Sequence, residues 1–202
     1  MKRAFGFAFG LAAVLFAATS STGALAHTGA AAATGFAYGF GHPLGGLDHV
    51  LAMVAVGLFA CVLKGRALWL VPASFVGMMA IGGIVGIYGI PVPLVELGIA
   101  LSVVTIGGLI AFGRSIPVAV AMAIVGSFAI FHGHAHGAEM PAGASGLAYG
   151  LGFMLATASL HGAGILAGFG IGKLGEASGA TIARAGGAAM SVAGLAILVG
   201  VL

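Results

Sequence analysis

Long hydrophobic runs, broken only by short polar stretches, fill the chain from residue 35 to its end. Charged residues and prolines divide them into segments at 35–63, 67–89, 94–112, 116–136, 145–172 and 179–202. Each is close to or above the roughly 20 residues that a helix needs to cross a bilayer core. The first and fifth are longer, so they must tilt, bend or extend into the interface, and Pro43 offers the first a place to bend. The pattern predicts an all-α fold, a polytopic membrane helix bundle of about six transmembrane helices.

Composition points to lipid as the solvent. Among 202 residues, seven are Lys or Arg, four are Asp or Glu, and 61% are hydrophobic. Soluble domains carry about 25% charged residues, so this chain is too poor in charge to cover a surface that faces water. The 38 glycines suit close approach of helix backbones in a bilayer. The basic residues form no cluster, so no nucleic-acid partner is predicted.

The first 26 residues have the pattern of a secretory signal peptide: two basic residues, an apolar run at 4–18, and an A-x-A cleavage site ending at Ala26. We therefore predict a signal peptide at 1–26 and a single six-helix transmembrane domain at 27–202. An uncleaved seventh helix is the alternative, although the apolar run is short for one. Cleavage would place a free α-amine on His27, which makes His27 a secondary metal-binding candidate.

The remaining basic residues predict the orientation of the bundle. With six spans, they all fall on one side, which the positive-inside rule makes cytoplasmic; they are Lys64, Arg66, Arg114, Lys173 and Arg184. A secretory signal independently places the mature N-terminus outside. We therefore predict a multi-pass protein of the bacterial cytoplasmic (inner) membrane with a periplasmic mature N-terminus.

One cluster of polar residues lies near the outer end of the first predicted span. It contains His42, Asp48 and His49. On a continuous helix, residues seven apart share a face, so the two histidines would stack one above the other. Asp48 is placed to orient an imidazole or to join the coordination. Met53, one turn after His49, is a weaker candidate as a soft ligand, with simple packing as its alternative role.

A second cluster closes the fourth predicted span at the same surface. His132 and His136 are four residues apart, a helical spacing that can place two nitrogens on one metal ion. Glu139 adds an oxygen, whereas His134 points elsewhere on such a helix and is a weaker candidate. Cys61 is the only cysteine, so a Cys-based zinc site is excluded. Imidazoles with a few carboxylates suit Ni, Zn, Cu or Co.

Two further ionisable residues lie within predicted spans. Glu96 enters the third span just below the outer surface, and His161 stands well inside the fifth. Ionisable groups at these depths cost several kcal/mol unless they are paired, so by default they face a cavity or each other. His161 is the weaker metal candidate, because a helix–helix hydrogen bond would also explain it.

The two clusters together resemble the HupE/UreJ family of nickel permeases. The shared motifs are His42-Pro43-x4-Asp48-His49-x3-Met53 and Phe131-His132-Gly133-x-Ala135-His136-Gly137-x-Glu139, and Glu96 with the stretch to Ser102 is similar to the family's third-helix pattern. The resemblance implies an inner-membrane carrier that imports Ni²⁺, or Co²⁺ in some members, for hydrogenase or urease maturation. It also implies a metal pathway formed by His42, Asp48, His49, Glu96, His132, His136 and Glu139.

The predicted activity is transport, not enzyme catalysis, with Ni²⁺ as cargo, Co²⁺ or Zn²⁺ as alternatives, and no permanent cofactor. The chain has no Walker motif, so no ATPase is built into it. Besides lipid and the ion, cytosolic nickel chaperones are the expected partners. A non-transporting metal sensor or accessory protein is the main alternative, followed by a membrane haem protein and an intramembrane metalloprotease, which would need a general base that no motif supplies.

A faint internal repeat is also present. The stretch at 35–41 reappears at 146–152, and the same offset brings Met79 onto Met190 and Gly83 onto Gly194. Parallel repeats occur in transporters. Chance matches are common in a chain so rich in Gly and Ala, so the sequence leaves duplication and coincidence open.

Overall fold

The computed structural model describes residues 34–202, and the regular structure of this range is entirely helical. The elements are α1 (Thr34–Gly41), a 3-10 helix (His42–Gly45), α2 (Leu47–Leu63), α3 (Ala67–Ile87), α4 (Val95–Phe112), α5 (Val118–Ala138), α6 (Gly146–Gly172) and α7 (Glu176–Leu198). The predicted signal peptide and His27 lie outside the described residues. The helix ends agree with the predicted spans to within a few residues.

Five helices, α3 to α7, are long and apolar enough to cross a membrane. A sixth span results if the bent pair of helices Gly35–Gly45 and Leu47–Leu63 is counted as one span. The structure therefore confirms the all-α, polytopic membrane fold with about six spans. In the predicted repeat, Gly83 and Gly194 both lie at helix crossings, on α3 against α5 and on α7 against α4. The duplication itself stays a prediction.

The first span bends far more sharply than a kinked helix, by 87°. Pro43 occupies the first turn of the 3-10 helix, and Gly46 is extended with φ −109° and ψ 124°. This geometry ends one helix and starts the next, since proline has no N–H to continue the ladder. The predicted stacking of His42 over His49 on one helical face is therefore wrong. The two histidines belong to different elements.

Glycines set how closely the helices approach. On α5, Gly133 lies against the Met79 carbonyl and Gly83 of α3, and on α4 Gly107 lies against the Gly187 carbonyl of α7. In each case an added Cβ would meet backbone, which cannot move aside. The glycine richness of the sequence thus serves close helix crossings, as predicted.

The strongest test of this packing compares two glycines on α6. An added Cβ at Gly164 would meet the Val54 carbonyl, with the Leu58 nitrogen at 2.9 Å and the Gly57 Cα at 3.0 Å, whereas nothing lies within 4 Å of one at Gly162. We expect Gly164→Ala to destabilise the protein by about 1–3 kcal/mol through overpacking. Gly162→Ala should be neutral or stabilising, because Ala favours helix. Thermal unfolding in detergent measures both, and equal unfolding temperatures would contradict the crossing.

The two ends of the bundle have different chemistry. Helix α2 carries His49 in its first turn and ends beside Lys64. Arg114 lies in the α4–α5 connection, and the Arg184 guanidinium reaches that connection, since a Cβ at Gly113 would lie 2.6 Å from its Nε. The basic residues therefore gather at the end opposite His49, as the sequence predicted. Which end faces the cytoplasm stays a prediction.

Candidate metal centre

Three elements that are distant in sequence meet at the end of the bundle away from the basic residues. They are the 3-10 helix with the first turn of α2, the last turns of α5, and the first turns of α6. The buried Tyr149 hydroxyl of α6 donates a hydrogen bond to the His136 carbonyl at 3.1 Å and so fixes the end of α5. The histidine clusters of the first and fourth predicted spans therefore come together.

The outermost group combines residues of two elements. The His42 Nε2–H donates to Glu139 Oε2 at 2.8 Å, and the His42 and His136 rings lie edge to face with centroids 4.9 Å apart. One ligand atom from each of His42, His136 and Glu139 lies within 4.8 Å of the others. An ion about 2.1 Å from each atom needs ligand atoms no more than about 4.2 Å apart. Small side-chain rotations close that difference.

His49 is held by its neighbour in the first turn of α2. The Asp48 carboxylate accepts hydrogen bonds from both the His49 backbone N–H at 2.7 Å and the ring Nδ1–H at 2.8 Å. The proton is therefore on Nδ1, which leaves a lone pair on the buried Nε2. That nitrogen has no partner in residues 34–202. A carboxylate that fixes the tautomer and orientation of an imidazole is the usual support of a metal-binding histidine.

His132 is oriented in the same manner by a hydroxyl. The Ser102 hydroxyl of α4 donates to the Ile99 carbonyl at 2.6 Å, so it accepts from the His132 Nε2–H at 2.9 Å. The free lone pair is then on Nδ1, which is buried and has no partner in the described part of the chain. Both His49 and His132 thus present one unprotonated nitrogen each.

The imidazoles form a continuous series of ring contacts. Below the His42–His136 pair, His49 lies 4.5 Å from His136 and 4.8 Å from His132, measured between ring centroids. His132 and His136 are fully or almost fully buried, at 0% and 2% exposure. His136 has no hydrogen-bond partner on either ring nitrogen among residues 34–202. The series leads from the exposed Glu139 into the interior of the bundle.

The charges at this end favour a cation. Asp48 and Glu139 both contact imidazoles of the cluster. The Lys and Arg residues of the described range lie at the opposite end of the bundle. Nitrogen donors in the majority, with two carboxylates, suit a borderline divalent transition metal better than Mg²⁺ or Ca²⁺. The arrangement can replace part of an ion's hydration shell with imidazole nitrogen and carboxylate oxygen.

Two predicted residues stand apart from the cluster. Glu96 is exposed in the first turn of α4 and makes no hydrogen bond or ion pair within residues 34–202. His134 points away from the other histidines, as its helical position predicted, and bonds the Ile90 carbonyl of the α3–α4 connection at 2.8 Å. The structure brings neither into the ligand set, and a role for Glu96 in the metal pathway stays a prediction.

The other weaker candidates lie deeper. Met53 is fully buried in the hydrophobic core, which accords with a packing role. His161 is buried at 1% exposure, with its ring edge-on to Phe75 at 5.1 Å between centroids. The helix–helix hydrogen bond that would have explained His161 is absent from the described structure, since neither of its ring nitrogens has a partner there.

Sequence reasoning missed several residues of this region. Ser102 appears in the motif stretch without a role, and Phe75, Tyr149 and Phe153 were not singled out. Phe153 packs on the His136 ring with centroids 4.6 Å apart. A signal was present on α6, where Tyr149 and Phe153 fall on the helical face that His161 continues.

Comparisons with known proteins find related sequences. The family model described as HupE / UreJ protein matches residues 13–197. The chain is 50% identical over 163 residues to a protein of Rhizobium leguminosarum bv. viciae described as Protein HupE, covering 80% of this chain and 83% of that one. No solved structure matches significantly. The chain therefore belongs to the HupE/UreJ family, a family of nickel and cobalt permeases of the multi-pass membrane type.

Proposed function

We propose that the protein is an inner-membrane importer of Ni²⁺, with Co²⁺ as alternative cargo, that supplies the maturation of a metalloenzyme such as hydrogenase or urease. Membership in a family of nickel and cobalt permeases supports transport as the activity. The cargo metal and the maturation role rest on the family resemblance and on the name of the Rhizobium protein.

The observation that carries the proposal is the convergence of His42, His136 and Glu139 within 4.8 Å. These residues come from separate parts of the chain and lie at the mouth of the imidazole series. Packing alone does not explain the buried imidazole nitrogens that have no partner among residues 34–202, because a buried polar atom left without a hydrogen bond costs about 1–3 kcal/mol. A cation that binds these nitrogens removes that cost.

Capture begins at the exposed carboxylate. Glu139 and His42 give up their mutual hydrogen bond to the ion, and His136 adds the first buried nitrogen. The ion then moves to the unprotonated nitrogens of His49 and His132, which Asp48 and Ser102 already orient. Transfer between similar ligand sets keeps binding selective yet weak enough for release, as conduction requires.

The energy for import comes from outside the chain, which has no ATPase motif. With the cluster on the periplasmic side, an inward divalent cation gains about 4.6 kcal/mol per 100 mV of membrane potential. The ligands bind metal only in their deprotonated form, so a proton and the ion compete for each ligand atom.

Accumulation of radiolabelled nickel by proteoliposomes tests the proposal. We expect nickel uptake that rises with an inside-negative potential and is competed by Co²⁺ more strongly than by Mg²⁺. Protein-free liposomes provide the baseline. Nickel binding without accumulation would instead identify a sensor or accessory protein and would refute transport.

A further inference from the structure

The imidazole series does not end at His132, and its continuation is interrupted by an aromatic ring. Phe75 of α3 lies with its centroid 5.5 Å from the His132 ring and 5.1 Å from the His161 ring. The outer contacts join imidazole to imidazole directly, whereas here one phenyl ring contacts both histidine rings. Phe75 therefore links the His132 ring to the His161 ring.

A second small group of polar atoms lies between α3 and α6, one helical turn from the Phe75–His161 contact in the direction of the outer cluster. Thr157 is fully buried one turn before His161 on α6, and its hydroxyl donates to the Met79 Sδ of α3 at 3.6 Å. Buried threonines in helices commonly bond the carbonyl one turn back instead. Met79 is itself fully buried, one turn after Phe75. A hydroxyl, a thioether and an imidazole therefore line one α3–α6 interface.

His161 provides the independent sign of a ligand. It is 1% exposed, and neither ring nitrogen has a hydrogen-bond partner in residues 34–202. Neither of the two ion pairs among residues 34–202 involves His161, so an ion pair does not explain its burial there. Its backbone is held against α2 by the close contact of its carbonyl with Gly57. The backbone at His161 is thus fixed, yet both ring nitrogens have no hydrogen-bond partner among the described residues.

The stripe on α6 connects the two regions. Tyr149, Phe153, Thr157 and His161 are spaced four residues apart and are all buried. Tyr149 and Phe153 contact His136 of the outer cluster. His161 lies three such steps further along, about 18 Å down the helix axis. One buried stripe of α6 therefore passes from the outer cluster to the middle of that helix.

We propose that His161, Met79 and Thr157 form a second, inner binding site for the transported cation, with the Phe75 ring packed against the His161 imidazole. The inference rests on the proposed function and extends it to the second half of the pathway. Imidazole with thioether is softer than the outer imidazole and carboxylate set, and it suits a borderline or soft cation that has already lost its water. Harder ions such as Mg²⁺ gain nothing from a thioether, so the inner site adds selectivity.

Nickel binding and nickel uptake, measured on the same purified protein in nanodiscs and proteoliposomes, test the inner site. We expect wild type to bind two equivalents. His161→Gln should lose the second equivalent and lower uptake by about tenfold or more, while the affinity for the first equivalent stays within about twofold, because the sites are well separated. That retained affinity also shows that the variant is folded.

A second measurement addresses Met79. Nickel K-edge X-ray absorption of wild type with two equivalents should show a sulfur neighbour that disappears in Met79→Leu and persists in the control Met190→Leu, both being nearly volume-conserving changes. Uptake by His161→Gln at the wild-type rate, or the absence of sulfur from the wild-type spectrum, would overturn the inner site. If wild type itself binds one equivalent but moves no nickel, transport fails and the inner site fails with it.

Discussion

Replacing His136 with alanine should abolish nickel uptake, whereas replacing His134 should leave it nearly unchanged. His136 contacts the rings of both His42 and His49 and links the outermost group to the inner histidines. Even supporting residues of metal ligands are worth roughly 10–100-fold, so loss of a central ligand should lower uptake by at least about 100-fold. His134 lies two residues away on the same helix but faces the Ile90 carbonyl.

The comparison of the two histidines controls for expression, insertion and helix stability, since both lie in the last turns of α5. Uptake per mole of protein in membranes is the measurement, with His136→Gln as a second variant that keeps a polar side chain of similar size. Equal loss in both alanine variants would mean that these turns of α5 matter for folding and not for the ion. Normal uptake by His136→Ala would remove the outer site from the pathway.

Replacing Asp48 should weaken nickel binding, and the loss should be greater when the new side chain can accept fewer hydrogen bonds from His49. The carboxylate accepts two hydrogen bonds from His49 and fixes the ring with its Nε2 lone pair free. Asp48→Asn keeps a carbonyl acceptor but loses the charge, and Asp48→Ala loses both. We expect nickel affinity to fall by about tenfold for Asn and towards 100-fold for Ala, the range known for carboxylate partners of metal-binding histidines.

Titration calorimetry with nickel measures this series, and Glu176→Gln is the matched control. Glu176 is a carboxylate in the first turn of α7, at the basic end of the bundle. Its neutralisation should leave the affinity as in wild type. If Asp48→Ala binds nickel as tightly as Glu176→Gln does, Asp48 does not position a ligand and the tautomer argument for His49 fails.

The spans were predictable because the bilayer imposes a minimum length on each apolar run and leaves few polar residues to mislead the division. The same scarcity made the histidine clusters conspicuous, and the location of Asp48 and Glu139 at the same end of the bundle followed from counting spans. The size of the bend angle near Pro43 was not predictable. A proline marks a place to bend, but 87° depends on the 3-10 turn and the extended Gly46 together.

The finer structure of the site depends on contacts that sequence spacing does not encode. The hydrogen bond from His132 to Ser102 joins two helices, and nothing in the separate sequences of α4 and α5 indicates which residues face each other. The contacts of Phe75 with both His132 and His161 likewise result from how α3 packs on α5 and α6. The small crossing distances that glycine permits decide both contacts. Glu96 shows the reverse, since its location in a predicted span did not bring it to the cluster.

The central claim is that histidines and acids from distant stretches of chain bind one cation at the end of the bundle. The most direct test is a crystal structure of the protein with one equivalent of nickel and data collected at the nickel absorption edge. The geometry predicts an anomalous peak between His42 Nε2, a ring nitrogen of His136 and a Glu139 carboxylate oxygen, the atoms that already lie within 4.8 Å. A peak at the basic end of the bundle, or none in crystals that contain bound nickel, would contradict it.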